Sequence, residues 1–408
     1  MKHLNVFFIT AMLLGNSPLF SQVGPPPGVF LDSVYATVKI TTDITYGSNK
    51  NFFKNNQVDT LKLDLYEPDA SVNYLRPVIV YLHAGGFTTG DKGENRAVKL
   101  GNYFAKKGYA FASINYRLGS NVFPDTVDNY QSVYQITQDA MSAVRFFRKN
   151  WLNYCIDTNT IFMVGSSAGA AICLTVAYWD QDEADQAFDT TPFGPLDQAS
   201  GNEGPTSSVS AIVPCWGGMP DTSWLQNETE PAYLFHGTAD NIVPYVYGLS
   251  FNGVNLHGSY NIHHQLLANG VESYLHPFVN AGHGVPVNSP QYDTLMMLIT
   301  PFFYDHLSPA AGSSSCGFTG VQADEAHQIV FEQAGPHQDA YMINRSNQEQ
   351  EVELDWISLE GKIMRSERII MAPGQRQVVE TELYADSLYL LRLRCGSSSQ
   401  VFKLIAGS

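Results

Sequence analysis

The stretch FMVGSSAGA, residues 162–170, runs from an apolar segment into small residues and holds two adjacent serines, Ser166 and Ser167. A serine hydroxyl is a weak nucleophile at neutral pH; it needs a histidine to take its proton and a carboxylate to orient that histidine. Spacing separates the two serines, because Gly165, Ser167 and Gly169 fill a G-x-S-x-G pattern with Ser167 at its centre. In that pattern the nucleophile sits on a sharp strand-to-helix turn, and the residues two before and two after it must be small enough for chain segments to approach. Ser166 is then a spacer.

In a strand–turn–helix setting of this kind the carboxylate and the base follow in that order, each just past a strand. TADNIVPY, after AYLFHG, places Asp240 at such a position, and AGHG, after YLHPFVN, places His283 in a glycine-flanked loop. Asp221 is a rival acid, whereas His236 and His276 fall inside strand-like runs and read as packed strand residues. Acyl transfer also builds an oxyanion that backbone N–H groups must already face. YLHAGGFTTGD, residues 81–91, has paired glycines where the chain can turn its amides inward. Donors are expected from Gly85 or Gly86, with Phe87 as a further candidate, together with Ala168; His83 reads as a brace for the loop. Phe87 and Trp216 are candidates for touching substrate and Trp179 and Trp224 are more remote ones, with core packing as the alternative for each.

The elements that must position these residues are legible from about Asp59 to Leu307, where strand-like apolar runs alternate with helical periodicity. That alternation implies an α/β fold with a largely parallel sheet. PVIVYLH, GYAFASINY, TIFMVG, VSAIVPCW, PAYLFHG and ESYLHPF read as strands, most of them near-continuously apolar as strands buried on both faces should be. Between the second and third, Val133, Ile136, Ala140, Ala143, Val144 and Phe147 share one helical face. Residues 180–207 are acidic and rich in Gly, Pro, Ser and Thr, so they read as an exposed excursion, either a substrate lid or plain surface loop.

The division expected is an export signal over residues 1–22, a catalytic domain over 23–307, a linker over 308–322 and a small all-β sandwich over 323–408. The first 22 residues carry one early lysine and an apolar run too short and interrupted to span a bilayer. The last module reads as short alternating strands, EVELDWIS, RQVVETEL, SLYLLRLRC and QVFKLI, with a turn at LEGK.

With 44% hydrophobic and 15% charged residues the chain is globular, and its net charge of −16 argues against nucleic acid or an anionic membrane as main partner. Five cysteines are too few for a disulfide framework; Cys316 and Cys395 are the first pair to test. No Cys/His spacing resembles a metal site, and the proposed chemistry needs no cofactor.

HAGGF, NYRL, GSSAG, HGTADNIVPY and NAGHG, in this order, resemble the carboxylesterase and lipase-like branch of the α/β-hydrolases that uses an HGGGF loop; Ala84 stands where that branch usually has glycine. The resemblance implies an α/β-hydrolase fold and a Ser167–His283–Asp240 triad that cleaves esters, with acetyl or feruloyl esters of polysaccharides, or polyesters, as substrates. A non-catalytic surface-binding protein and a serine peptidase are the alternatives. ISLEGKIM, APGQRQVVETEL and LYLLRLRCGSSSQVFKLI resemble the sorting domain of the bacterial type IX secretion system, which implies an outer-membrane secretion partner and a secreted or cell-surface location.

Overall fold

The computed structural model describes residues 25–313 apart from 71, 73 and 120–125, and then 329–333, 340–344, 348–357, 363–379, 388–395 and 398–405. The expected export signal and the turn at LEGK therefore lie outside the described residues.

In chain order the first part contains β1 (Val38–Asn51), β2 (Gln57–Pro68), β3 (Arg76–Leu82), α1 (Asn95–Ala105), β4 (Ala110–Ile114), α2 (Thr126–Lys149), α3 (Trp151–Tyr154), β5 (Ile156–Ser166), α4 (Ala168–Tyr178) and α5 (Gln181–Ala187). It continues with β6 (Ala211–Cys215), β7 (Gly218–Met219), β8 (Ala232–Gly237), β9 (Tyr247–Leu249), β10 (Asn255–Gly258), α6 (Ser259–Ala268), β11 (Ser273–Phe278) and α7 (Pro290–Asp305). Eight strands form one sheet in the order β1-β2-β4-β3-β5-β6-β8-β11. Pairing is antiparallel from β1 through β2 to β4 and parallel from β4 to β11. This is the mostly parallel sheet of an α/β-hydrolase fold, and all six strands expected from the sequence are in it.

Strand periodicity builds two cores from one sheet, because successive side chains point to opposite faces. On β3, Val78 and Val80 join the layer under α2, α4 and α6, with Ile136, Ala140, Ile172 and Ile262. Ile79 and Tyr81 join the other layer, with Leu100 and Phe104 of α1 and Leu295 and Ile299 of α7. Every residue of β3 is buried, which explains its apolar run from Pro77 to Leu82. Burying each of these aliphatic side chains contributes about 1.5–3 kcal/mol. The sheet's parallel strands all end on one side, where helices begin and loops are free to carry chemistry.

β1 and β2 extend the sheet beyond the six expected strands. β1 is half-exposed along its length, so its sequence lacks the apolar density of a central strand. A second, three-stranded sheet, β7-β10-β9, sits after the fourth expected strand; its members are two to four residues long, too short to show a period.

The acidic excursion over 180–207 is held down rather than free. Asp180 caps α5 in a reciprocal capping box with Glu183. Further on, Gln138 of α2 donates to the carbonyls of Phe193 and Pro195, and Arg145 pairs with Asp197. Trp179 and Trp224 stack on each other at 5.1 Å in a buried aromatic cluster with Tyr130, so both are core residues.

The expected linker begins as part of the first domain: Ser308 Oγ donates to Asp157, and the amides of Gly312 and Leu75 exchange bonds with the carbonyls of Leu75 and Ser313. Cys155 is disulfide-bonded while Cys173 and Cys215 are free and buried. Of the five cysteines only Cys316 and Cys395 remain to pair with Cys155, so its disulfide excludes the expected Cys316–Cys395 pairing. The C-terminal part comprises β12 (Ile329–Gln333), β13 (Ala340–Asn344), β14 (Gln350–Ile357), β15 (Ile363–Met371), β16 (Arg376–Val379), β17 (Leu388–Cys395) and β18 (Ser398–Ile405). They make two antiparallel sheets, β12-β13-β16 and β15-β14-β17-β18.

Candidate active site

β5 delivers Ser167 to the end of the sheet and α4 leaves from it. The turn between them forces Ser167 to φ 54°, ψ −114°, a region that costs a non-glycine residue roughly 1–3 kcal/mol. The flanking glycines explain how so sharp a turn closes. A Cβ on Gly165 would stand 2.1 Å from the Gly169 carbonyl oxygen, and one on Gly169 would stand 2.2 Å from the Leu82 carbonyl oxygen at the end of β3. Ser167 N–H donates to the Cys215 carbonyl at 2.9 Å, which ties the turn to β6.

The loops after β8 and β11 are stitched to each other. Gly237 ends β8 with no room for a side chain, since a Cβ there would meet the Gly282 carbonyl oxygen at 2.1 Å. Ala239 N–H donates to the Ala281 carbonyl, and Asn280 N–H to the Thr238 hydroxyl. This brings Asp240 and His283, 43 residues apart, into contact. His283 Nδ1–H donates to Asp240 Oδ2 at 2.7 Å, which leaves Nε2 as the acceptor for the Ser167 hydroxyl, also at 2.7 Å. The Asp240 side chain is fully buried, and its other oxygen accepts the amides of Ile242 (2.8 Å) and Val243 (3.1 Å). Burial raises the Asp240 carboxyl, but bonds from His236, His283 and the Ile242 amide outweigh it and hold the group well below the usual carboxylate range.

His236, read from the sequence as a packed strand residue, is buried but also reaches Asp240. Its Nε2 faces two acceptors, the Val243 carbonyl at 3.1 Å and Asp240 Oδ2 at 3.2 Å, so Nε2 carries the proton. Nδ1 then accepts from the Ser259 hydroxyl at 2.8 Å. His236 thus positions the acid from behind, and its place four residues before Asp240 in HGTAD was the available signal. The rivals are accounted for: Asp221 caps a short helical turn through the Ser223 amide, and His276 stays on β11 against Phe235 and Phe278.

A cavity of about 950 Å³ opens over Ser167 and His283. Gly85, Gly86, Phe87 and Ala168 line it, and among the described residues the amides of Gly85, Gly86 and Ala168 have no hydrogen-bond acceptor. The loop is shaped by a turn in which the Thr88 and Thr89 amides donate to the Gly85 carbonyl. Gly85 (φ 138°) and Gly86 (φ 58°) occupy backbone regions that favour glycine. His83 is buried, stacks on Tyr116 at 4.2 Å and donates from Nδ1 to the Ala84 carbonyl. Burial lowers its pKa, which suits a neutral brace. Trp216 reaches the cavity wall but is 1% exposed, so only a sliver of the ring is presented there. Ser166 also reaches the wall, from the last position of β5 opposite Cys215.

Another part of the wall comes from Ile242 and Val243, just past Asp240, and from Phe251 and Leu256, which carry no sequence signal, the last of them on β10. No residue of the 180–207 excursion lines the cavity, which fits its reading as surface loop rather than lid.

Residues 63–222 match the family model described as BD-FAE. Among curated proteins, the chain is 30% identical over 135 residues to juvenile hormone esterase of Tribolium castaneum. That alignment covers 32% of this chain and 23% of that protein. The domain has the α/β-hydrolase fold, and the proteins it matches are carboxylesterase-like. A neuroligin-like protein, glit-1 of Caenorhabditis elegans, is 36% identical over 115 residues, 28% of this chain and 15% of its own. The chain thus spans less than a quarter of either relative's length. Of solved structures, Thermogutta terrifontis esterase 2 phosphorylated by paraoxon aligns with a TM-score of 0.49 and 21% identity, over 67% of this chain and 96% of its own. The matched family segment ends before Asp240 and His283, so in this hydrolase domain the pairing of acid and base rests on the geometry given above.

Proposed function

We propose that the protein is a secreted serine carboxylic-ester hydrolase. The observation that carries this reading is the hydrogen-bonded series Ser167–His283–Asp240, set beside unengaged backbone amides at the floor of one cavity. His283 Nε2 takes the proton as Ser167 Oγ attacks the ester carbonyl. The carbonyl oxygen turns negative against the amides of Ala168 and of Gly85 or Gly86, and Asp240 holds the imidazolium. His283 then protonates the departing alkoxide, and water, activated by the same base, releases the acid from the acyl-enzyme.

The substrates proposed are acetyl or feruloyl esters of polysaccharides, or polyesters; the wide, mostly apolar cavity supports an acyl or aryl group of this size. The test is hydrolysis of short-chain nitrophenyl esters. Wild type is expected to turn them over, and Ser167→Ala to reduce kcat by roughly 10⁶, by analogy with another serine hydrolase. Ser166→Ala is expected to do far less. No turnover by wild type would favour a non-catalytic binding protein, and a fully active Ser167→Ala would remove Ser167 from the mechanism.

A further inference from the structure

Resting on the esterase reading, we propose that Arg96 forms an anion subsite in the cavity, so that the esters this protein prefers carry a carboxylate near the scissile bond. Arg96 is the second residue of α1 and, among the described residues that line the cavity, the only Lys, Arg, Asp or Glu. Its guanidinium lies 5.9 Å from the centre of the Trp216 ring, and Nη2 is 3.3 Å from where a Cβ on Gly284 would stand. Gly284 directly follows His283, so the cation borders the catalytic base.

The guanidinium has a carboxylate beside it, Glu94, in a loose ion pair but, among the described residues, no hydrogen-bond acceptor. Glu94 Oε2 is 3.9 Å from Nη1, too far for a hydrogen bond, and Glu94 Oε1 already takes the Tyr81 hydroxyl at 2.5 Å and the Ala84 amide at 3.4 Å. Among the described residues Arg96 donates no hydrogen bond, and its Nε is buried without a partner. The chain treats its structural arginines differently. Arg117 is bonded to Asp139, Gln138 and the carbonyls of Lys50 and Gln135, and Arg76 to Glu67 and the Tyr154 carbonyl. A guanidinium has five N–H donors in a planar fork that matches a carboxylate, and buried donors are almost always paired. Arg96, set beside Trp216 with its side chain 26% exposed and its Nε unpaired, presents this fork to an incoming acceptor. In a chain of net charge −16 it is a local exception to the surrounding field.

The experiment compares matched esters that differ in one charge: 4-acetoxybenzoate against 4-acetoxybenzamide for the alcohol side, and monoethyl adipate against ethyl adipamate for the acyl side. Wild type is expected to favour the carboxylate in at least one pair by about ten- to a hundredfold in kcat/KM. In Arg96→Gln that ratio falls to near unity, and Arg96→Lys retains part of it. A wild-type preference for the amide in both pairs overturns the proposal, as does a ratio unchanged in Arg96→Gln. If wild type cleaves none of these esters, turnover of nitrophenyl esters decides whether the esterase reading fails, and the subsite is judged by calorimetric binding of 4-acetoxybenzoate to Ser167→Ala. Equal affinity in Ser167→Ala with and without Arg96→Gln overturns it.

Discussion

At the scale of single residues, Asp240 connects the site to the pH dependence of the molecule. Its carboxyl is lowered on folding, so the unfolded chain binds its proton more readily than the folded one. Its contribution to stability is therefore present above the ordinary carboxylate value of about 4 and is lost as pH falls toward the lower folded value. Asp240→Asn is expected to flatten the loss of stability below about pH 4, read by urea unfolding between pH 3 and 7. The same substitution should lower kcat by roughly 10⁴, because an amide can hold His283 in the wrong tautomer. An unaltered acid limb in the variant would mean that the acid sensitivity resides elsewhere. His236 belongs to this scale too: it was visible in the sequence as a residue but not as a partner, since a strand histidine's contacts are made by loops that fold back over it.

At the scale of elements, the strand-to-helix turn depends on backbone approach more than on side chains. Gly169 lies where β3, β5 and α4 converge, and the Leu82 and His83 carbonyl oxygens are 2.2 and 2.8 Å from its would-be Cβ. Those oxygens belong to backbone and cannot swing aside. Gly169→Ala is expected to destabilise the domain by about 3 kcal/mol, measured by denaturant unfolding, and to lower kcat by displacing Ser167. A variant of native stability would show that the turn has slack. The excursion over 180–207 is legible in composition as a surface element. Its attachment to α2 through Gln138 and Arg145 depends on residues more than 50 positions away.

At the scale of the whole molecule, the hydrolase domain continues past Leu307 to residues 308–313, which are bonded to Asp157 and Leu75. A chain of residues 25–313 carrying Cys155→Ser is therefore expected to stay soluble and to hydrolyse neutral esters at a rate near that of the full chain. A full-length chain lacking residues 323–408 is expected to be retained by the producing cell, as follows if the C-terminal module is a sorting domain. Cell fractionation with activity assays checks both; normal export of the shortened chain would assign the module another role, and an insoluble 25–313 fragment would make the module structural.

The central strands, the order Ser167, Asp240, His283 and the glycine-rich HAGGF loop were legible in the amino-acid sequence, because each leaves a local mark. Strands buried on both faces are continuously apolar, sharp turns call for glycine, and polar residues in glycine-flanked loops stand out. Other features had no local mark. The half-exposed β1, the short β7-β10-β9 sheet, the cavity wall at Phe251 and Leu256 and the unpaired Nε of Arg96 were decided only by tertiary structure. Whether a buried polar group is paired or left open depends on which distant segments pack around it, and that is a property of the folded chain.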